Sequence, residues 1–250
     1  MRKLVAALAC RAGGARLYGK PLQRLGGEVT ILDQILDTID QISCIETSVL
    51  GISEGKENAV FADIADTRGI AHIFGDQRDV LMRLIQCGRA AGATDVFRIT
   101  TECPFLWFER VDFAWAEHVE NKNDITVTDG APEGINFEIY SMDALMKCHE
   151  QGDDRHRSEY CSLYAREHMD DFRVKVIRPD PELDRLDIRL TVDNPEDLVV
   201  CRAVFKEFKD QAPLIPAASI IQFLDDQPKL KDLIAAYVDP IRIWPDGNVA

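Results

Sequence analysis

Short apolar runs alternate with longer stretches of helical period along much of the chain, and this rhythm restricts the fold more than any other feature. Strands separated by helix-length segments form βαβ units around a largely parallel sheet. Leu4–Ala9 reads as a first buried strand, and Thr30–Ile39 carries apolar residues at 31, 32, 35, 36 and 39, a helical stripe. The spacing then predicts a strand at Thr47–Ile52, a helix at Asn58–Thr67 and a short strand at Ala71–Phe74. A helix opening at Gly75-Asp76 runs to about Ala91, followed by strand Asp95–Ile99, helix Glu109–Glu120 and strand Ile125–Val127. After Asp129-Gly130-Ala131-Pro132 the rhythm is less regular. Asn136–Tyr140 reads as a strand, Met142–Glu150 and Arg157–His168 as helices, and Leu186–Val192 as an alternating strand. Asn194-Pro195 opens a helix reaching about Lys209, with proline in its first turn, and 216–238 reads as two short amphipathic helices. No repeat, low-complexity stretch or long linker divides the 250 residues, so one α/β domain is expected.

Composition narrows the function. With 43 acidic and 29 basic residues the formal net charge is −14, which argues against general binding to nucleic acid or an anionic membrane. No apolar run approaches the roughly 20 residues needed to span a bilayer. The opening Met1–Cys10 superficially resembles a signal peptide, but it leads straight into Arg11 and a glycine-rich turn, and a buried strand explains it better. The seven cysteines form no C-x-x-C pair and sit mostly in apolar stretches, as expected of reduced core thiols in a cytoplasmic protein.

The segment Cys10–Leu22 is the richest in chemistry. It follows a buried strand, so it is expected at the carboxyl edge of the sheet, where ligands bind open α/β folds. Gly13 and Gly14 let the backbone approach an anion, and Arg11, Arg16 and Lys20 place three cations within ten residues of an acidic chain. A polyphosphate is the expected guest, with a solvated basic loop as the plain alternative. Gly14–Lys20 has the spacing G-x-x-x-x-G-K, but Pro21 stands where a Walker loop needs a hydroxyl, and G-x-G-x-x-G is absent.

Polyphosphate chemistry needs a divalent cation held by oxygen ligands, commonly one or two carboxylates. Glu102, after strand Asp95–Ile99, and Asp193, after the expected strand ending at Val192, are the acids that a parallel sheet would bring to the loop. Asp193 is also suited to capping the helix at Asn194-Pro195, and Glu102 to a surface loop. A glycosyltransferase of the GT-A type would need a D-x-D motif after a strand of the sheet. Asp180-Pro181-Glu182 and Asp225-Asp226 do not stand there.

Taken together these segments resemble the cytidylyltransferase family of the spore-coat-polysaccharide type, related to the KDO and acylneuraminate cytidylyltransferases. The family's R-x-x-S-x-R-L-P-G-K-x-L stands here as Arg11–Leu22, and G-s-x-x-D-V-L-x-R as Gly75–Arg83. The pattern v-R-i-T-g-D-C-P corresponds to Phe97–Pro104, G-x-D-x-E-v-f-s to Gly134–Ser141, and T-v-D-t-p-E-D-L to Thr191–Leu198. The resemblance implies a single-domain, Rossmann-like nucleotidyltransferase fold with a mostly parallel central sheet flanked by helices. It also implies Mg2+-dependent transfer of CMP from CTP to a sugar acid or related surface-glycan precursor, with pyrophosphate released. The same fold with GTP or UTP and a sugar phosphate, or a non-catalytic nucleotide-binding homologue, are the alternatives.

By position, Arg11, Gly13, Gly14, Arg16 and Lys20 would hold the nucleotide, with Arg16 and Lys20 neutralising the leaving pyrophosphate. Asp79, Arg83 and Arg98 would also lie at the nucleotide, Glu102 and Asp193 would ligate Mg2+, and Asn136, Glu138 and His156 would belong to the acceptor side. The nucleotide part is expected at about 1–128, an acceptor and dimerisation part at about 129–190, and C-terminal helices at about 194–250. The expected partners are CTP and a small anionic acceptor, with no nucleic acid and no membrane, and family members are often homodimers. The chain departs from the pattern at Tyr18, which replaces proline, at Gly14, which replaces serine, at Thr101-Glu102, which replaces Gly-Asp, at Asn136, which replaces an acid, and at Ser158-Glu159-Tyr160, which stands near a usual R-E-H.

Overall fold

Every residue from Leu4 to Leu8 is buried, so the strand they form must lie inside a sheet covered on both faces. Its side chains alternate between two cores. Leu4, Ala6, Leu8 and Cys10 join one cluster with Ile31, Leu32 and Ile35, while Val5 and Ala7 join another with Leu81, Leu84 and Ile85. A computed structural model describes residues 2–245 of the chain. The last residues of the expected C-terminal part, 246–250, lie outside the described residues, as does Met1.

In chain order the elements are β1 (Leu4–Cys10), β2 (Arg24–Gly26), β3 (Val29–Thr30), α1 (Ile31–Ile39), β4 (Ile45–Ser53), α2 (Ala59–Arg68), β5 (Ala71–Gly75) and α3 (Val80–Ala90). Then follow β6 (Asp95–Arg98), α4 (Val111–Glu120), β7 (Ile125–Thr128), β8 (Glu138–Ser141), α5 (Met142–Gln151), α6 (Asp154–Arg157) and α7 (Leu163–Glu167). The chain continues through β9 (Val174–Ile177), α8 (Pro195–Glu207), α9 (Ala217–Asp225) and α10 (Pro228–Ile234). Seven strands form one sheet in the order β5-β4-β1-β6-β8-β7-β9. β8 alone runs antiparallel to its neighbours, so β1, β4, β5, β6, β7 and β9 share a direction. The loops after β1, β4 and β6 therefore meet at one carboxyl edge, and the expected α/β architecture is the one observed.

Four sequence readings need correction. The helix expected from Gly75 begins only at Val80. The Asp76 carboxylate accepts the backbone N–H groups of Arg78 and Asp79, which holds a turn in place, and Asp79 then caps α3 through the N–H of Met82 at 2.8 Å. The expected helix Arg157–His168 is interrupted at 158–162, leaving α6 and α7 on either side. Leu186–Val192 is not a strand. Ile188, Leu190 and Val192 are buried as the alternation implies, but the segment makes a single bridge, Arg189 to Glu133. It then turns to another partner, the N–H of Val192 donating to the Glu102 carbonyl at 3.0 Å. Finally, β9 and the β2–β3 hairpin form where no strand was expected.

Among the described residues no helix is long and apolar enough to cross a membrane. All seven cysteines are free thiols and only Cys44 is not buried.

Candidate active site

The loop after β1 is closed on itself and tied to the sheet. The Gly19 N–H donates to the Ala12 carbonyl at 2.7 Å, with Gly19 in the left-handed region at φ 62°. The Ala12 N–H donates to Asn58 Oδ1 at 2.7 Å, and Asn58 Nδ2 donates to the Glu54 carbonyl, so the loop after β4 supports the loop after β1. A Cβ on Gly14 would stand 2.2 Å from the Leu17 carbonyl oxygen. The serine of the family pattern is therefore excluded by this loop's own backbone.

The loop's cations converge on one carboxylate. Lys20 Nζ lies 2.5 Å from Asp193 Oδ1 and Arg16 Nη2 3.2 Å from the same oxygen. Arg189 pairs with Asp193 Oδ2 and also with Glu133 at 2.5 Å and Asp197 at 3.1 Å. Asp197 in turn accepts the backbone N–H groups of Asp193 and Asn194 at 2.9 and 2.8 Å. Burial works to raise the Asp193 carboxyl, but Lys20, followed by Arg189 and Arg16, outweighs it and holds the group below the ordinary carboxylate range.

Glu102 is brought beside Asp193 by the bond from Val192, while Thr101 Oγ1 donates to the Ala9 carbonyl and ties the same loop to β1. Burial pushes the Glu102 carboxyl up and the Asp193 charge adds to it; Lys20 and Arg98 pull the other way without reversing the shift. Among the described residues no group of three or more His, Cys, Asp or Glu side chains is placed to hold a metal ion. Two adjoining carboxylates are the donor set that suits Mg2+, which binds through one or two acids and takes its other ligands from substrate phosphates and water.

These groups line a cavity of about 400 Å³ that includes Arg11, Gly13, Gly14, Arg16, Lys20, Arg83, Arg98, Glu102 and Asp193. A larger groove of about 1250 Å³ runs along β9 and residues 166–173, lined by acids and bases in mixture, and contains none of them.

No protein-family model matches the chain. It is 25% identical over 231 residues to an uncharacterised protein of Methanocaldococcus jannaschii, MJ1063, covering 92% of this chain and 94% of that one. It is 24% identical over 233 residues to the spore coat polysaccharide biosynthesis protein SpsF of Bacillus subtilis strain 168, covering 91% and 96%. In structure it is similar to a cytidylyltransferase from Leptospira borgpetersenii, with a TM-score of 0.84, 19% identity and coverage of 92% and 97%. It is also similar to a CMP:2-keto-3-deoxy-manno-octonic acid synthetase complexed with CTP, with a TM-score of 0.64, 12% identity and coverage of 82% and 99%. The chain has the cytidylyltransferase fold, and its resemblance to that family is borne out.

On this cytidylyltransferase framework the remaining sequence candidates divide. Arg83 is fully buried at the cavity wall and donates from Nη1 to the carbonyls of Cys10 and Gly51 at 3.2 and 2.9 Å, bracing the ends of β1 and β4. Its Nε has no partner. Arg98 reaches the cavity and is held from behind by Glu138 at 2.6 Å. Glu138 itself is buried in β8 and Tyr140 donates to it at 3.3 Å.

Asp79, Asn136, Glu138 and His156 do not line the cavity. Asp79 caps α3 and meets His149 at 2.8 Å. Asn136 donates to the carbonyls of Ala131 and Pro132 in its own turn. His156 closes a capping box with Asp153 and meets Glu167 at 2.9 Å, so its local partners account for it.

Sequence reasoning passed over Asn58, Arg189 and Asp197 as site supports, and it marked Glu159 and Tyr160 only as a departure from the family pattern, whereas both line the cavity. Glu159 pairs with Arg11 at 2.9 Å. Arg189 and Asp197 stand four residues before and after Asp193, and that symmetric spacing of opposite charge was the available signal.

Proposed function

We propose that the chain is a cytidylyltransferase that transfers CMP from CTP to a sugar acid or related surface-glycan precursor in an Mg2+-dependent reaction that releases pyrophosphate. One observation carries this reading: three loop cations and the two acids Glu102 and Asp193 face the same cavity at the carboxyl edge of the sheet. Two comparisons support the choice of base and acceptor class: the fold shared with a synthetase complexed with CTP, and the relative in spore coat polysaccharide biosynthesis.

In the proposed reaction an acceptor oxygen attacks the α-phosphorus of CTP. The bond from that phosphorus to the bridging oxygen of the β-phosphate breaks, and pyrophosphate leaves with its electron pair. Such transfer depends on positioning and charge neutralisation. Arg11, Arg16 and Lys20 hold the triphosphate, with Gly13 and Gly14 admitting it to the backbone, and Arg16 and Lys20 offset charge on the leaving group. Arg83 supports the floor of the site through the carbonyls it binds, and Arg98 presents a fixed positive charge on the side of Glu102. Glu102 and Asp193 would hold Mg2+, which supplies further positive charge to the phosphates when bound. The proposal includes a cytoplasmic homodimer, with 1–128 handling the nucleotide and 129–190 the acceptor.

The test is thermal-shift binding of CTP, GTP, UTP and ATP with and without Mg2+, followed by pyrophosphate release against a panel of anionic sugars. A Mg2+-enhanced shift for CTP and turnover with a sugar acid support the reading. A stronger shift for another nucleotide replaces the base, and binding without turnover for any acceptor removes the enzyme.

A further inference from the structure

The two oxygens of Asp193 are held by partners of different kinds. Oδ2 belongs to Arg189, whose side chain is only 7% exposed and which is fixed by Glu133 and Asp197 as well. Oδ1 is shared by Lys20 and Arg16, which come from the cavity side and are 19% and 59% exposed. The main chain beneath them is equally constrained: Asp197 takes the N–H groups of Asp193 and Asn194, and the Glu133–Arg189 bridge fastens the approach. A guanidinium surrounded by three carboxylates cannot leave without stranding buried charge, whereas a lysine and an exposed arginine can turn to another anion at little cost.

We propose that Arg189 is a positioning residue that keeps Asp193 in place through Oδ2, while Lys20 and Arg16 guard Oδ1 only until a triphosphate draws them away. This rests on the proposed function for its anion and its cation. In the empty protein Lys20 and Arg16 place positive charge where a divalent cation would sit, so the site takes the cation poorly. When the two side chains move to phosphate oxygens, Oδ1 is uncovered beside Glu102, and Arg189 prevents the released carboxylate from swinging after them. Nucleotide and cation are thereby made to bind together, and a cation alone does not fill the site.

Mn2+ binding to the nucleotide-free protein, followed by loss of the free-ion paramagnetic resonance signal, tests the guard without CTP. Lys20→Met removes one positive charge from Oδ1 and is expected to tighten Mn2+ binding by about tenfold or more, the scale of one close charge pair. An unchanged or weaker affinity overturns the exchange. Arg189→Lys, added to Lys20→Met, is expected to weaken Mn2+ binding again by about tenfold, as loss of a side chain that holds a metal-ligating carboxylate does. CTP affinity of Arg189→Lys measured in chelator should stay at the wild-type value. Unchanged Mn2+ affinity in the double variant, or a parallel loss of CTP affinity, overturns the positioning role. Should Arg189→Lys fail to fold, the single Lys20→Met measurement still decides the exchange. Failure of the wild type to bind any nucleotide would overturn the proposed function, and the Mn2+ result for Lys20→Met would stand independently of it.

Discussion

Arg98 and Glu138 stand directly opposite one another on the antiparallel strands β6 and β8, and their side chains close an ion pair of 2.6 Å at the cavity wall. Both are largely buried, so each depends on the other for compensation of its charge. Glu138→Leu should destabilise the protein by about 3 kcal/mol, the lower end of the cost of stranding a buried charge. The double variant Arg98→Met with Glu138→Leu should recover part of that loss, because it leaves no orphan. Denaturant unfolding of the two singles and the double measures the coupling. Additive losses would show that the pair is not coupled.

Lys20 is placed to meet both Asp193 and a bound triphosphate, which separates its effect on turnover from its effect on the fold. Lys20→Ala should lower kcat by roughly 10²- to 10³-fold, the loss typical of a preorganised charge stabiliser. Its melting temperature should change little, because the side chain is partly exposed and Asp193 keeps Arg189. Pyrophosphate release under saturating CTP checks the first expectation and a melting curve the second. Wild-type kcat in Lys20→Ala would remove the assignment.

The parts of this site written in the sequence are those set by local pattern. The apolar run of β1, the basic loop after it, and Glu102 after β6 follow from periodicity and from the rule that ligands meet strand ends. Asp193 was reached by a mistaken route. The alternation of Ile188, Leu190 and Val192 reports burial but not pairing, and the segment finds its partners in Glu133 and Glu102 rather than in a strand. β9 was missed because Val174–Ile177 is short and interrupted by Lys175, and its place beside β7 depends on contacts across about fifty residues. Arg189 is marked only by its four-residue spacing from Asp193, and Asn58 carries no local mark at all, since a buried polar side chain is recognised by what it binds.

The C-terminal segment is anchored far from its neighbours in sequence. Trp244 is buried in the same apolar cluster as Val127 and Tyr164, its backbone N–H donates to the Asp129 carboxylate at 3.1 Å, and Arg178 donates to its carbonyl at 2.9 Å. Trp244→Ala should cost about 3 kcal/mol or more, the range for emptying a large aromatic site. CTP affinity should be unchanged, because Trp244 does not line the cavity. Denaturant unfolding paired with nucleotide titration separates the two, and a loss of affinity without a loss of stability would contradict the placement.

Glu102 joins stability and chemistry with opposite signs. Burial, reinforced by Asp193, raises its carboxyl above the ordinary value of 4.5 in the folded protein. The folded state therefore holds this proton more tightly than the unfolded chain does. The contribution of Glu102 to stability accordingly falls as pH rises from about 4.5 through the raised value, and the penalty is complete above it. Glu102→Gln keeps the shape and removes the charge, so its melting temperature should exceed that of the wild type at pH 7, with the gap closing as pH falls below 4.5. Turnover should move the other way, by about 10²-fold or more, because a neutral amide is a weaker ligand for the Mg2+ that Glu102 would hold. Melting curves across pH, set beside pyrophosphate release at pH 7, read both effects. A variant less stable than the wild type at pH 7 would show that Lys20 and Arg98 stabilise the Glu102 charge more than burial penalises it.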